Sequence, residues 1–364
     1  MKKTILFTII LFLILPRAFA WDGTGPLIVD HTAVDEFEQI PDEWIEEIKS
    51  RNMLVRHSGE SHGRQLPNGV VLLGANPEYA VQVDGSLGSL TQANVLRFHH
   101  VIRGDVYWST AGGRSQTEGY IRQAIDTGDP YVISIWCWCW DISSPGSFFS
   151  QSGLLDDYDD IEDPNWIAGY VNAIESYNNN PSVNQTIFVY HTSITDSSVN
   201  NNGWRITRAN EYIRQRAVQN NGVLFDQADI ENWDIDNTEQ RVDTWSGHTL
   251  YLRHSDYSGD DSGPFGADHT NDALRIRKAK ALWWLLARLA GWDGVSQGTT
   301  TLGDVTGNGD VSSYDASLAA QYAIGLIDLS PDEVMRADVT QNSEVTSYDA
   351  SLIAQYAIGL IEGF

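Results

Sequence analysis

The feature that most constrains this chain is a duplicated segment near its C terminus. The stretch Asp304-Val-Thr-Gly-Asn-Gly-Asp-Val-Ser-Ser-Tyr-Asp315 returns 34 residues later as Asp338-Val-Thr-Gln-Asn-Ser-Glu-Val-Thr-Ser-Tyr-Asp349, and each copy runs into nearly the same apolar segment. A repeat this faithful indicates a duplicated supersecondary unit. Oxygen-bearing side chains occupy loop positions 1, 3, 5 and 12, a spacing that wraps a calcium ion. The sequence therefore predicts two calcium loops, each followed by a helix.

Each loop offers the hard oxygen ligands that calcium prefers, from carboxylate, hydroxyl, amide and backbone groups. In the first loop the predicted ligands are Asp304, Thr306, Asn308, the Asp310 carbonyl and Asp315. In the second loop they are Asp338, Thr340, Asn342, the Glu344 carbonyl and Asp349. Position 12 is Asp in both loops, where ordinary EF-hands carry Glu.

Two aligned loops and two aligned helices make residues 303–364 similar to a type I dockerin domain, a small all-α module that binds two calcium ions. The resemblance implies a cohesin module of a scaffold protein as the partner, in a cellulosome-like extracellular assembly. Recognition in that family centres on loop positions 10 and 11, which here are Ser313-Tyr314 and Ser347-Tyr348. The alternative is a calcium-stapled cap that binds no partner.

The N terminus has the pattern of a secretory signal. Two lysines precede an apolar run too short to span a bilayer comfortably, and Ala18-Phe-Ala20 is a small-x-small cleavage site. We therefore expect residues 1–20 to be removed and the mature chain to be secreted, without a membrane span. The formal net charge of −26 argues against nucleic acid or anionic lipid as a partner, because phosphate contacts need clustered Lys and Arg.

A polar stretch rich in Gly and Thr, at 295–302, is predicted to be a linker. Upstream of it, residues 21–294 alternate short apolar runs, such as 131–136, with helical patterns, of which 273–289 is the strongest. This alternation predicts an α/β domain in which a parallel sheet is flanked by helices on both faces. In such a sheet the reactive groups lie on loops at the carboxyl ends of the strands.

A junction between a strand and a helix carries the first candidate for catalysis. The apolar run at 54–55 leads towards Ser61, where a hydroxyl can face substrate while helix N–H groups stabilise negative charge. A serine nucleophile needs a base, and His269, directly before the last long helix of the domain, is the best candidate. The alternatives are a helix-capping Ser61 and a surface-loop His269, and Ser58 stays open as the nucleophile.

These blocks together resemble the SGNH, or GDSL-like, serine hydrolases, in which Gly-Asp-Ser follows the first strand. Here Gly59-Glu60-Ser61 stands in that place, and His269 stands in the place of the base. A group of secreted SGNH-like proteins is closer, since it shares a Ser-His-Gly block, matched by Ser61-His62-Gly63, and a Trp-rich ending, matched at 283–292. The resemblance implies a flavodoxin-like three-layer fold and ester hydrolysis without a catalytic cofactor.

The resemblance also implies roles for residues around this pair. Backbone N–H groups of Ser61 and Gly113 would hold the oxyanion. The family places an acid three residues before the base, where this chain has Gly266, so the neighbouring Asp268 is expected to orient His269, with Asp226 and Asp229 as alternatives. The side chains expected to contact substrate are His57, His62, Trp140 and Asp141.

One apolar strand carries alternating tryptophans and cysteines. Trp136, Trp138 and Trp140 share one face, either as a platform for sugar rings or as core. Cys137 and Cys139 share the opposite face, and we expect them to be reduced, with an oxidised or reactive pair as the alternative.

The sequence thus predicts a secreted, cohesin-docked serine hydrolase, an esterase or deacetylase that acts on polysaccharide or another extracellular ester. Two alternatives stay open. A non-catalytic carbohydrate-binding or structural component fits the abundance of tryptophan, with 13 in the chain. A glycoside hydrolase needs a pair of carboxylates, for which the sequence offers no convincing candidates.

Overall fold

The structure is a computed structural model and describes residues 25–102, 111–139, 142, 167–195, 197–259, 262–294, 302–306, 311–329, 331–342, 344–361 and 363–364. The chain divides into two compact units, of which the larger ends at Asp293 and the smaller comprises Asp35–Glu46 and Gly294–Phe364. The predicted signal at 1–20 lies outside the described residues, as does the predicted linker except for its last residue. Within the described ranges, no helix is long and apolar enough to cross a membrane.

Strands and helices alternate along the chain as far as residue 290. The strands are β1 (Leu27–Val29), β2 (Leu54–Ser58), β3 (Val81–Asp84), β4 (Leu96–Val101), β5 (Ile133–Trp136), β6 (Ile187–Phe188), β7 (Tyr190–His191), β8 (Val223–Phe225), β9 (Val242–Trp245), β10 (His248–Tyr251), β11 (Ser262–Gly263) and β12 (Gly266–Ala267). The α-helices are α1 (His31–Asp35), α2 (Asp42–Ser50), α3 (Gln65–Leu73), α4 (Ala111–Asp126), α5 (Ile167–Asn178), α6 (Asn201–Gln219), α7 (Gln227–Asn232) and α8 (Asp272–Ala290).

The first eight strands form parallel sheets flanked by helices. Five strands follow the order β3-β4-β2-β5-β6, and three follow the order β1-β8-β7. The segment 187–191 connects the two sheets, because its first half pairs with β5 and its second half pairs with β8. The predicted α/β fold is confirmed. Two antiparallel pairs, β9 with β10 and β11 with β12, add to it.

The centre of the five-stranded sheet brings separate segments to one edge. Strand β2 lies between β4 and β5, and every residue of β2 and β5 is buried, as is usual for a parallel sheet covered on both faces. Just beyond the strands, the Gly59 N–H donates to Val101 O at 3.3 Å and the Cys137 N–H donates to Ser58 O at 3.0 Å. The residues that follow β2 and β5 therefore meet at the carboxyl edge of the sheet.

The tryptophans of this region belong to the core. Trp136 and Trp138 are fully buried, with ring centroids 4.5 Å apart, and both rings contact Tyr170. The core alternative is therefore the correct one for these two side chains, while Trp140 lies outside the described residues. Cys137 and Cys139 are buried thiols that are not joined in a disulfide.

Helices α3 and α8 pack closely, and a glycine permits the contact. A Cβ atom at Gly69 in α3 would lie 1.8 Å from the carbonyl oxygen of Arg275 in α8, a distance that no side chain tolerates. Helix α3 follows Ser61 in the chain, and α8 follows His269. This close approach therefore fixes the spacing between the two segments that carry the candidate nucleophile and base.

The C-terminal repeat folds as helices. Helices α9 (Ser313–Ala323) and α11 (Ser347–Ala357) follow the two loops, and α10 (Pro331–Ala337) lies between them in the chain. Each loop-following helix begins with a capping box, formed by Ser312 with Asp315 and by Thr346 with Asp349. The small core contains Val305, Ala316, Ala319, Ala337, Val339, Val345, Ala350 and Ile353. The predicted all-α repeat is confirmed, and within its described residues α10 is a helix that the repeat pattern does not indicate.

Candidate active site

Ser61 lies where β2 gives way to α3, at the start of a short 3-10 turn, Ser61–Arg64. Its φ is +50°, in the left-handed region that costs free energy for a residue other than glycine. The turn before it is tight, because a Cβ atom at Gly59 would lie 2.9 Å from the Cα atom of Gly63. Such local strain is typical of positions where the backbone aims a functional side chain.

His269 meets Ser61 directly. Its Nε2 atom lies 2.7 Å from Ser61 Oγ, although the two residues are 208 positions apart in the chain. His269 also has a left-handed backbone, with φ at +64°, in the loop between β12 and α8. A distance of 2.7 Å is a normal hydrogen bond and is within reach of proton transfer from the hydroxyl to the imidazole.

Asp268 holds the loop that carries His269 in place. This carboxylate is fully buried and is bound by the Arg275 guanidinium, with Nη2 to Oδ1 at 2.6 Å, and by Asn68 Nδ2 at 2.6 Å. The Asp268 carbonyl accepts a hydrogen bond from Gln65 Nε2 at 2.8 Å. Within the described part of the chain, the hydrogen-bond partners of the Asp268 carboxylate do not include the His269 imidazole. The expected role of Asp268 in orienting that ring is therefore corrected to one of holding the loop.

The two alternative acids are engaged elsewhere. Asp226 binds Arg214, with Oδ2 to Nε at 2.6 Å, and accepts a hydrogen bond from Thr192 Oγ1 at 3.0 Å. Asp229 is paired with His31 through Nδ1 of that histidine. Neither carboxylate is therefore placed to orient His269 by the contacts that the structure describes.

His62 lies beside the Ser61–His269 pair. Its ring centroid is 4.5 Å from that of His269, and its Nδ1 atom is 3.1 Å from Cys139 Sγ. Burial lowers the pKa of His62 well below its ordinary value, and the neighbouring His269 and Arg253 lower it further. The imidazole of His62 is therefore neutral near pH 7.

A cavity of about 520 Å³ opens over this pair, within the size range of small-molecule sites. Its described lining contains no carboxylate side chain. The lining residues are Ser61, His62, Cys139, Ser197, Ser198, Arg253 and His269. The arrangement joins a hydrogen-bonded serine–histidine pair to a volume large enough for a substrate.

Several other expected site residues lie elsewhere. His57 is fully buried, and its Nδ1 atom is 3.1 Å from Nδ1 of His100, so the expected substrate contact is corrected to a core position. Gly113 is buried in the first turn of α4 and is not among the described lining of the cavity. Ser58 is fully buried within β2, which favours Ser61 as the reactive hydroxyl. Trp140 and Asp141 lie outside the described residues.

The larger unit contains a buried ion pair that sequence reasoning missed. Lys278 Nζ lies 2.5 Å from Glu231 Oε1 and 2.9 Å from Gln227 Oε1, and it also contacts Gln65. Glu231 in turn accepts hydrogen bonds from the N–H and hydroxyl of Thr195, at 2.6 and 2.8 Å. A lysine within the apolar pattern of α8 is the only signal of this network in the sequence, because its partners come from distant segments.

Buried histidines make the stability of the larger unit sensitive to acid. Burial lowers the pKa of His100 to about 4 and of His191 to about 3, and it holds the pKa of His57 and His62 well below the ordinary value. The unfolded chain, with histidine pKa values near 6.5, then binds more protons below pH 6.5. The free energy of unfolding therefore falls as the pH falls, by about 2 kcal/mol at pH 5 for His100 and by a similar amount for His191.

Urea unfolding followed by tryptophan fluorescence at pH 7.5 and pH 5 measures this loss. The variant His191→Gln removes one titrating group and is expected to show a pH dependence smaller by about 2 kcal/mol over the same interval. An unfolding free energy that does not change between the two pH values contradicts the prediction.

The first calcium loop is described at three of its five expected ligands. Asp304 and Asp315 are both buried, and Thr306 Oγ1 donates to Asp304 Oδ1 at 3.1 Å and to Asp315 Oδ1 at 2.9 Å. Asn308 and Asp310 lie outside the described residues. Two carboxylates therefore converge on one hydroxyl with little exposure to water.

The second loop repeats this geometry. Thr340 Oγ1 donates to Asp338 Oδ1 at 3.2 Å and to Asp349 Oδ1 at 2.8 Å, and the Asn342 N–H donates to Asp338 at 3.1 Å. Asn342 Oδ1 accepts a hydrogen bond from the Glu344 N–H at 2.9 Å. Paired, nearly buried carboxylates among hydroxyl and amide oxygens are a donor set that fits calcium.

The residues expected to face a partner are at the surface. Tyr314 is 62% exposed and Tyr348 is 63% exposed, large fractions for aromatic side chains. Ser313 and Ser347, which begin α9 and α11, are also exposed. The two Ser-Tyr pairs thus occupy equivalent surface positions on the two halves of the repeat.

Comparison with known proteins identifies the C-terminal segment. Residues 302–357 match the family model of the dockerin type I domain. The segment is a type I dockerin. The dockerin accounts for the two loops and their following helices, so the resemblance seen in the sequence is confirmed.

Comparison of the whole chain gives a distant likeness. No curated protein matches the chain. Among solved structures, the chain is similar to one described as a lipolytic protein of the G-D-S-L family from Desulfitobacterium hafniense DCB-2. The sequence identity is 10% and the TM-score 0.34, over 64% of this chain and 98% of that chain. A likeness this distant carries no argument about chemistry.

Proposed function

We propose that this chain is a secreted serine ester hydrolase, an esterase or deacetylase of polysaccharide or another extracellular ester, docked through its dockerin to a cohesin. The observation that carries the proposal is the 2.7 Å contact between Ser61 Oγ and His269 Nε2 at the wall of a 520 Å³ cavity. A nucleophile with an adjacent base is the arrangement that covalent acyl transfer requires. The resemblance of the serine and histidine blocks to SGNH hydrolases supports the same reaction.

In the proposed mechanism Ser61 Oγ attacks the acyl carbon of the ester while His269 Nε2 takes the hydroxyl proton. The bond to the alcohol then breaks, and His269 gives that proton to the leaving oxygen. Water then attacks the acyl carbon of the acyl-serine while His269 Nε2 takes a proton from it. The bond to Ser61 Oγ breaks, His269 returns the proton to Ser61 Oγ, and the acid is released. Within the described residues, no hydrogen bond uses the Ser61 N–H, so this group is available as one donor to the oxyanion. Gly113 is the second donor that the resemblance implies.

The lining of the cavity also helps to distinguish ester hydrolysis from glycoside hydrolysis. A glycoside hydrolase needs two carboxyl groups that flank the scissile bond. The described lining contains neither Asp nor Glu, and it does contain the serine–histidine pair. These features favour ester hydrolysis over cleavage of glycosidic bonds.

Labelling with a fluorophosphonate probe tests the identity of the nucleophile. We expect a stoichiometric mass increase on the peptide that contains Ser61, and no labelling of the variant Ser61→Ala. Ser58→Ala is the matched control, because its hydroxyl is fully buried and bonds to no described residue, so its loss should leave labelling intact. Labelling of Ser61→Ala at the wild-type level would refute the proposed nucleophile.

The dockerin supports the proposals on location and partner. We propose that Ser313-Tyr314 and Ser347-Tyr348 contact a cohesin, since these pairs are exposed at equivalent positions of the repeat. We propose that calcium is held by the ligands named above from both loops, where it would offset the charge of the buried carboxylates. The signal-like N terminus supports the proposal that the chain is exported to an extracellular assembly.

A further inference from the structure

Arg253 is held against the candidate nucleophile and base. It follows β10 and lines the same cavity as Ser61 and His269. Its Nη1 atom donates to the carbonyl oxygen of His269 at 2.7 Å, and its own carbonyl oxygen accepts a hydrogen bond from Arg241 Nη1 at 2.7 Å. Both the backbone and one edge of the guanidinium are therefore fixed next to the reactive groups.

The charge of Arg253 has no counter-charge among the residues that the structure describes. Other arginines of the unit form ion pairs, for example Arg97 with Asp129 and Arg275 with Asp268, but no described carboxylate lies within ion-pair distance of Arg253. The described cavity lining has no acidic side chain. In a chain with a formal net charge of −26, an arginine at the cavity wall without a paired carboxylate favours an anionic ligand there.

The geometry of the guanidinium indicates which anion fits. One edge is used by the His269 carbonyl, and no described hydrogen bond uses Nε or Nη2. Those two N–H groups form a planar fork that matches the two oxygens of a carboxylate. The hydroxyl-bearing Ser197 and Ser198 line the same cavity and suit the polar remainder of such a ligand.

We propose that Arg253 is a specificity-determining residue that binds a carboxylate of the substrate, so that the cavity selects esters which carry a carboxylate close to the ester bond. The proposal rests on the proposed function of Ser61 and names its substrate class. Two sources supply this chemistry: an acetylated uronic-acid sugar, with the carboxylate on the alcohol side, and a half-ester of a dicarboxylic acid, with the carboxylate on the acyl side.

Binding to the inactive variant Ser61→Ala of the full-length protein tests the anion site separately from catalysis. Calorimetric titration with glucuronate, succinate and uncharged glucose is expected to give an affinity for at least one carboxylate that is about 10-fold or more above that for glucose. The preference should shrink as the salt concentration rises. Equal affinities for the carboxylates and glucose, including no detectable binding of any of them, would overturn the proposal.

Substitutions then assign the site to Arg253. In the Ser61→Ala background, Arg253→Gln should abolish the preference, and Arg253→Lys should keep part of it, because the charge remains while the fork is lost. Arg122→Gln is the matched control, since Arg122 is a partly exposed arginine paired with Glu118 on α4, and this variant should keep the full preference. A preference that survives both Arg253 substitutions would overturn the assignment.

Kinetics on the active protein separates the two sources. The ratio of kcat/KM for an acetylated methyl glucuronide to that for an acetylated methyl glucoside reports the alcohol side. The ratio for p-nitrophenyl hemisuccinate to p-nitrophenyl acetate reports the acyl side. At least one ratio should exceed about 10 and fall towards unity in Arg253→Gln. Hydrolysis with both ratios near unity would refute the proposed selectivity and leave the proposed function intact, whereas carboxylate binding without hydrolysis would refute the function alone.

Discussion

Replacing His269 with alanine is expected to lower kcat for a chromogenic acetyl ester by about 10⁴- to 10⁶-fold. The reason is that Ser61 Oγ, 2.7 Å from Nε2 of His269, loses the base that takes its proton. Steady-state rates of the purified protein at neutral pH measure the effect. His248→Ala serves as the control, because His248 is an exposed histidine of the same unit that stacks on Trp204, and its loss should leave kcat near that of the wild type.

The double variant shows whether the serine and the histidine act as one unit. Groups that carry out one step together are strongly non-additive. Ser61→Ala combined with His269→Ala is therefore expected to be about as slow as either single variant. A His269→Ala protein that keeps the wild-type rate would refute the assignment of the base, and a double variant slowed by the product of the two single effects would show that the residues act independently.

The pairing of Ser61 with His269 was predictable because each residue occupies a recognisable place in the chain. Ser61 follows an apolar strand, and His269 precedes the longest apolar helix. Parallel strands present their carboxyl ends at one edge, so Ser61 is expected at that edge, and the loop before α8 brings His269 to it. The distance itself was not predictable, since it depends on the packing of α3 on α8 at Gly69.

The roles expected for Asp268 and His57 failed for a different physical reason. A sequence shows that a polar residue is close to a reactive residue along the chain. It does not show which distant residue will form a hydrogen bond with that polar side chain. Asp268 is held by Arg275 and Asn68, and His57 faces His100, which lies directly opposite it on the neighbouring strand. In a strand buried on both faces, a polar residue can belong to the core. The closeness of His57 to Ser61 along the chain therefore does not put the His57 side chain in the cavity.

The dockerin was predictable in more detail because its information is local. All expected ligands of a loop lie within 12 consecutive residues, and the helix that follows completes the unit. Arg253 and Lys278 represent the opposite case. Arg253 reaches His269 across 16 positions and Lys278 reaches Glu231 across 47, and neither contact has a sequence pattern of its own.

Removal of calcium is expected to unfold the dockerin while the larger unit stays folded. Asp304, Asp315, Asp338 and Asp349 are nearly or fully buried, and without a cation their like charges face each other at low exposure. A ligand at about 1,000 times its Kd contributes about 4 kcal/mol at each site, so two sites contribute about 8 kcal/mol. A domain of about 60 residues is marginal by itself, with a stability of that order or less.

Calorimetry of the full chain distinguishes the two units. With calcium in excess we expect two transitions, of which the dockerin transition disappears in EDTA and returns when calcium is restored. Asp315→Asn should weaken calcium binding at the first loop, and Asp349→Asn should weaken it at the second. Each variant should lower the temperature of the dockerin transition. Asp328→Asn, the same change of charge at an exposed position outside the loops, should not. A dockerin transition at one temperature in both EDTA and calcium would contradict the two-ion assignment, because hydrogen bonds from Thr306 and Thr340 would then suffice to hold the buried carboxylates.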